Sequence, residues 1–275
     1  MLLTFAVYLD KYFGREIVMQ RITSKDNPNI KFYRKLSENK KFRRENGMFV
    51  LEGVRLISDA ISENARLHSV FVTEASAAKL DMADLRSDVR CFLIPDELKE
   101  KMSDTGNTQG AFAICETLDK PVFSDTIKRT GKYILLHSVQ DPGNLGTIIR
   151  TADAVGVDAV FLAECCDLFS PKVIRSTMGS IFRLNVSEVK FHEVFPVFKE
   201  RGVRSYAAVI DSGAVSLTDC DFSEGGVVLI GNEGNGLPKE VSDLCDVRLT
   251  IKMQGNVNSL NAAMAAGIIM WELEK

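Results

Sequence analysis

The stretch "DPGNLGTIIRTADAVG", Asp141 to Gly156, stands between two apolar runs, "YILLHSV" from Tyr133 and "DAVFLAE" from Asp158. The flanking runs have the length and β-branched content of buried strands, and the stretch between them carries apolar residues at helical spacing. The spacing predicts a strand over Tyr133–Val139, a helix over Thr147–Val155 and a strand over Ala159–Ala163. A strand, a crossover helix and a second strand make a parallel β-α-β unit, which sets the fold class as α/β.

The same rhythm extends toward the C-terminus. "SPKVIRSTMG" reads as a helix with Pro171 just inside it, "FRLNV" as a strand and "EVFPVFKERG" as a helix bent near Pro196. "SYAAVI", "VVLIG" and "VRLTI" read as strands, "PKEVSDLC" as a short helix, and "SLNAAMAAGIIMWELEK" as the closing helix. Toward the N-terminus, "NPNIKFYRKLSENKKF" reads as one basic amphipathic helix with Pro28 at its first position. "MFVLEG", "LHSVFVTE", "VRCFLIP" and "QGAFAICE" then read as strands, with helices at "VRLISDAISE" and "DELKEKMSD". Pro121 and mixed polar residues interrupt the rhythm, so residues 119–130 are expected to link a small α/β domain, 19–118, to a larger one, 131–275. Residues 1–18 read as a leader, non-native or disordered, because "MLLTFAVYLD" lacks a basic start and a cleavage site while Met19 opens a natural beginning.

Ligands of a parallel sheet lie beyond the carboxyl ends of its strands, and three such loops in the second domain are rich in Gly and Asn. In "DPGNLGTIIRT", Asn144 or Thr147 can cap the helix, and Arg150 shares a face with Gly146 and Thr147. An ordinary surface arginine would have the same spacing. In "VVLIGNEGNGLPKEV", Gly231, Gly234 and Gly236 suit backbone pressed against a flat ligand, or a tight turn bearing an exposed Glu233. In "IKMQGNVNSLNAAMAAG", Ser259 sits where a helix N-cap belongs, and the small residues after it admit close backbone approach. A phosphate loop is disfavoured because no Lys-Ser/Thr pair directly follows the glycines, and G-x-G-x-x-G is absent.

Composition is that of a globular chain: 45% apolar, 26% charged, net charge −3. No apolar run approaches the roughly 18–20 residues of a membrane span. The six cysteines form no C-x-x-C pair and no export signal is evident, so reduced thiols, a cytoplasmic setting and no metal site are expected. Between Met19 and Arg55, ten Lys and Arg face four acids, which suits either phosphate contact or a solvated helix face.

The order and spacing of the three loops add what none carries alone. Asn144-x-Gly146 with Arg150-Thr151, then Gly231-Asn232-Glu233-Gly234 with Gly236-Leu237, then Met253-x-Gly255 with Ser259-Leu260-Asn261, resemble the three motifs of the SpoU (TrmH) branch of SPOUT RNA methyltransferases. "FVLEGVRLISDAI" and "TQGAFAICE" resemble the substrate-binding domain that precedes the catalytic one in ribosomal RNA members. The resemblance implies a parallel-sheet SPOUT domain with a deep trefoil knot, preceded by a small α/β domain like ribosomal protein L30e. It implies transfer of a methyl group from S-adenosyl-L-methionine to a ribose 2′-hydroxyl, with 23S ribosomal RNA ahead of transfer RNA as substrate. Main chain at Gly231, Ile251 and Leu260 would hold the cofactor, while Arg150, Asn144, Glu233, Ser259 and Asn261 would act on RNA. A homodimer would complete each site with Arg150 of the other subunit. The rival reading is a knotted module that binds RNA without chemistry. The chain departs from many relatives in having Lys252 where they carry Pro and Ala263 where they carry a second Ser.

Overall fold

The computed structural model describes residues 5–9, 16–82, 84–103, 106–118 and 126–275. Most of the expected leader and residues 119–125 of the expected linker lie outside the described residues. Two compact units emerge, one of residues up to Leu118 together with Phe169–Phe182, the other of Asp119–Leu168 and Arg183–Lys275.

The first unit holds β1 (Phe5–Leu9), β2 (Glu16–Arg21), α1 (Pro28–Glu38), α2 (Lys40–Asn46), β3 (Met48–Glu52), α3 (Val54–Ser62), β4 (Leu67–Val72), α4 (Glu74–Ala77), β5 (Arg90–Leu93), α5 (Asp96–Met102) and β6 (Ala111–Glu116). Its sheet runs β1-β2-β5-β4-β6-β3. β2, β5 and β4 are parallel, and β1, β6 and β3 pair antiparallel to their neighbours. Ile30, Tyr33 and Leu36 of α1 pack on Phe71, Phe92, Phe112 and Ile114 of the sheet.

Pro28 opens α1 as expected, with the Asn27 side chain accepting from the amide of Asn29 at 2.9 Å. The expected single helix is in fact two. Asn39 adopts extended backbone (φ −126°), and its side chain accepts from the Phe42 amide to cap α2. Arg43 is buried, and its guanidinium donates to the carbonyls of Leu36 and Ser37 at the end of α1. One of the ten cations in the basic segment therefore satisfies orphan helix carbonyls rather than facing solvent. Within the same unit lie α7 (Pro171–Thr177) and most of α8 (Ser180–Arg183).

The second unit holds β7 (Lys132–His137), α6 (Pro142–Val155), β8 (Ala159–Ala163), β9 (Asn185–Val189), α9 (Phe191–Glu200), β10 (Ser205–Ala208), β11 (Val215–Ser216), β12 (Gly226–Ile230), α10 (Lys239–Ser242), β13 (Val247–Thr250) and α11 (Ala262–Glu274). All seven strands are parallel, in the order β11-β13-β10-β12-β7-β8-β9. β8 and β12 are buried along their whole length, the continuous apolar pattern of strands covered on both faces. Tyr133, Leu135, Phe161, Phe195, Phe198, Val227 and Leu229 form the core on one side.

Three boundaries differ from expectation, each for a local reason. "FRLNV" is not a strand from Phe182: Met178 (φ +50°) and Gly179 (φ +88°) turn the chain left-handed, a helical turn buries Ile181 and Phe182, and β9 begins at Asn185. α6 starts at Pro142, five residues before Thr147, because Asp141 caps it by accepting from the Asn144 amide at 2.8 Å. Neither Asn144 nor Thr147 is the cap. α11 is capped by Asn261, whose side chain accepts from the amides of Ala263 and Met264 at 2.9 and 3.3 Å, so Ser259 lies in the loop before it.

Candidate active site

β7 and β12 are neighbours, yet the chain leaves β7 toward β8 on one side and leaves β12 toward β13 on the other. That reversal is a topological switch point, where the loops diverge and open a crevice at the carboxyl ends. A cavity of about 760 Å³ opens beyond β10, β12 and β13, within the range of small-molecule and cofactor sites. Gly231, Ile251 and Leu260 all line it, as do Glu233 and Ser259. Its lining combines aliphatic residues such as Ile230, Leu237, Leu249 and Ile269 with the glycines and polar residues of the three loops. Asp211 and Arg248 form an ion pair in that lining at 2.9 Å.

The loop after β12 is built to bring backbone close. Asn232 and Gly236 exchange amide–carbonyl bonds at 3.1 and 2.9 Å, closing a tight turn. The Asn232 side-chain oxygen accepts from the amides of Gly234 and Asn235, and its amide donates to the Ser138 carbonyl after β7 at 2.9 Å. Gly236 has φ +67°, which favours glycine. At Gly231 the constraint is space: a Cβ there would lie 2.1 Å from the carbonyl carbon of Gly236. The cradle fits a ligand recognised by main chain, as adenosylmethionine would be here.

Glu233 spans the crevice. Its carboxylate accepts from the amides of Gln140 and Asp141 at 3.1 and 2.9 Å and from the Asn144 side chain at 3.2 Å. Partial burial pushes its carboxyl up, but those donors outweigh burial and hold it below the usual glutamate range. It is therefore ionised at neutral pH. The Asn144 side-chain oxygen in turn accepts from the Asn261 amide at 2.9 Å, while the Asn261 oxygen caps α11. Each side-chain amide thus has one assigned orientation, because swapping its ends would face donor with donor. Glu233, Asn144 and Asn261, distant in sequence, form one chain of hydrogen bonds joining the starts of α6 and α11.

Arg150 is not in that chain. It is exposed on α6 and has no hydrogen-bond or ion-pair partner among the described residues. Six residues along a helix turn it well away from Asn144. Ser259 likewise makes no side-chain hydrogen bond with the chain; it lines the cavity instead. Asn232 and Asp141, which organise the two loops, were not among the expected site residues. Asn232 carried a readable signal as a Gly-flanked Asn at a strand end, and Asp141 as an Asp-Pro pair at a helix start. Burial pushes the thiols of Cys115, Cys165 and Cys245 up to about 12, so they stay protonated and inert. No helix is long and apolar enough to cross a membrane among the described residues.

Residues 131–271 match the family model described as SpoU rRNA Methylase family, and residues 27–113 match the MRM3-like substrate binding domain. The 23S rRNA (guanosine(2553)-2′-O)-methyltransferase of Bacillus subtilis is 30% identical over 256 residues, covering 93% of this chain and 99% of that protein. The 23S rRNA (uridine(2479)-2′-O)-methyltransferase of Streptomyces viridochromogenes is 30% identical, covering 92% and 91%. The crystal structure of an AdoMet-bound rRNA methyltransferase from Sinorhizobium meliloti superimposes with a TM-score of 0.82 at 32% identity, over 93% of this chain and 97% of that one.

Proposed function

The chain belongs to the SpoU rRNA methylase family, and we propose that the ribose it methylates lies in 23S ribosomal RNA. It is an S-adenosylmethionine-dependent RNA 2′-O-methyltransferase. The observation that carries the reading is the Glu233–Asn144–Asn261 chain standing beside a cavity at the carboxyl ends of β10, β12 and β13. When bound, adenosylmethionine supplies an electrophilic methyl on sulfur. Main chain at Gly231, Ile251 and Leu260 would hold it.

The chain's own residues then have to present a poor nucleophile in line and let its proton leave. Ordering the two loops through Glu233 fixes the start of α6, and alignment of this kind removes several kcal/mol of orientational barrier. Arg150 serves as a clamp on an RNA phosphate, since a guanidinium is hard to deprotonate and its fork matches phosphate geometry. Ser259 stands at the cavity wall as a hydroxyl for the ribose, and proton removal falls to the phosphate or a bound water.

The reading includes a homodimer in which Arg150 reaches the partner's crevice. Its support is an apolar stripe on α11, with Met264, Ile268 and Trp271 exposed by 61%, 38% and 60%. α11 packs on α6, where a Cβ on Gly267 would meet Thr151, the residue after Arg150. The stripe and Arg150 thereby occupy adjoining helices. A deep knot threading α11, a substrate-binding role for residues 19–118 and a cytoplasmic setting complete the proposal; the match of residues 27–113 to a substrate-binding domain favours the second.

The test is transfer of labelled methyl from S-adenosylmethionine to total RNA lacking the modification. Alkali-resistant label in 23S RNA that disappears with Arg150→Ala is the expected result. Label in transfer RNA would overturn the substrate, and cofactor binding with no label in any RNA would favour the non-catalytic module.

A further inference from the structure

On the first unit, three half-buried rings stand in a row. Phe42 of α2 meets Phe32 of α1 edge-on at 5.5 Å between centroids, and Phe32 meets His68 of β4 at 6.2 Å. Cations flank both ends: the Lys35 ammonium lies 4.1 Å over the Phe42 ring, and the Arg90 guanidinium donates to His68 Nε2 at 2.6 Å. Lys35 and Arg90 are exposed and have no acidic partner among the described residues. The row is underpinned by the core, since Phe32 and Phe42 both pack against the cluster containing Tyr33, Phe71 and Phe112.

Two features make this more than leftover packing. First, the pairing of β4 with β6 slips between Leu67 and Ser69, leaving His68 as the extra residue of a β-bulge. Strict alternation would place His68 with Val70 and Val72, which lie outside the α1-side cluster; the bulge re-aims its ring to Phe32 over α1. Second, burial and then the neighbouring Arg90 lower the affinity of His68 for a proton, so the ring is neutral and its Nε2 lone pair receives Arg90. The surface is thus a row of neutral aromatic rings between two cations.

We infer that the Phe42–Phe32–His68 row receives an unpaired nucleobase of the RNA substrate, with Lys35 and Arg90 on its flanking phosphates. Aromatic faces between basic side chains are how single-stranded nucleic acid is held, base on ring and phosphate on cation. A base inside a duplex cannot reach them. The inference rests on RNA being the substrate and adds which form of it the first unit grips: a loop, bulge or splayed end rather than a helix.

The experiment uses the full chain and two RNA probes, a single-stranded 12-mer carrying 2-aminopurine and a 12-base-pair duplex of the same sequence. Phe32→Leu keeps apolar volume against the core and removes the ring; His68→Ala removes the bulged ring alone. Stacking contributes about 1–3 kcal/mol per base, so each variant is expected to weaken single-strand binding by about 5-fold or more and to relieve the 2-aminopurine quenching. Duplex affinity and the salt dependence of binding are expected to stay as in the wild type, with each variant still unfolding in a cooperative transition well above the assay temperature. Single-strand affinity and quenching unchanged in both variants would overturn the inference, as would equal weakening for strand and duplex. Methylation of RNA by wild type with unchanged binding by both variants would sink this inference alone. Ring-dependent binding with no methylation of any RNA would leave it standing and sink the assigned activity.

Discussion

Replacing Asn261 separates two jobs that its side chain does at once. The oxygen caps α11 through the amides of Ala263 and Met264, and the amide nitrogen donates to Asn144. Asn261→Ser keeps a capping oxygen of equal rank but has no second arm to reach Asn144. It should lose one hydrogen bond, about 1 kcal/mol. Asn261→Ala loses that bond and the cap, a further ~1 kcal/mol. For a chain of this size each kcal/mol moves the melting midpoint by about 2–4 °C. The expected drops are about 2–4 °C for Ser and about twice that for Ala. Methyl transfer should not follow the same ladder. If the chain of bonds aligns the starts of α6 and α11, both variants fall together, by about 10-fold or more, because both remove the donor to the Asn144 side-chain oxygen. The assays are thermal unfolding and single-turnover methyl transfer to RNA. A Ser variant that turns over like wild type, with only the Ala variant impaired, would show that Asn261 matters as a helix cap and that the link to Asn144 aligns nothing.

Three further outcomes follow from the same geometry. Arg150→Ala should leave the melting temperature and adenosylmethionine affinity unchanged, since Arg150 is exposed and off the cavity, while lowering turnover by about 100-fold or more; mixing it with a Gly231→Ala variant should restore part of the activity if the residue acts across a dimer. Gly231→Ala drives a methyl into the Gly236 backbone and should abolish cofactor binding in calorimetry with a loss of about 3 kcal/mol, whereas Gly236→Ala, in open space at φ +67°, should lose only about 1–2 kcal/mol. For Glu233 the folded carboxyl lies below its unfolded value of about 4.3. Its contribution is therefore present above that value and lost as pH falls through the folded one. The amide resonances of Gln140 and Asp141 should titrate together below about pH 4.3, and Glu233→Gln should remove the titration.

What could be read beforehand was set by short-range chemistry. The apolar runs of β7, β8 and β12 and the capped helices declared an α/β chain, because continuous burial and helix starts leave local marks. The marks mislead where two nearby residues compete for one role. Asp141 and Asn144 are both cap formers, and Pro142, which cannot donate an amide, decides for Asp141 by fitting the first helical position. Ser259 and Asn261 compete the same way, and Asn261 wins because it alone has a second arm to satisfy Asn144. Arg43 could not be told from its basic neighbours, since its role depends on a helix break at Asn39 that charge does not reveal.

The candidate site depends on contacts no local pattern encodes. Gln140, Asn144, Glu233 and Asn261 meet because β12 inserts beside β7 out of sequence order, and only that insertion carries Glu233 to the start of α6. The consequence is a division of labour within the crevice. Cofactor recognition rests on backbone that any side chain at Gly231 would spoil, so that side of the site is fixed by space. The RNA side rests on polar side chains held by one another, where removing a single link breaks the connection between the starts of α6 and α11 while Glu233 and Asn261 keep their backbone partners. Loss of function should accordingly be steep at Gly231 through binding, and at Asn144, Glu233 and Asn261 through turnover with the cofactor still bound. Substitutions at both sides that raised the cofactor's dissociation constant alike, with no separate effect on turnover, would mean that the amide chain merely shapes the cavity.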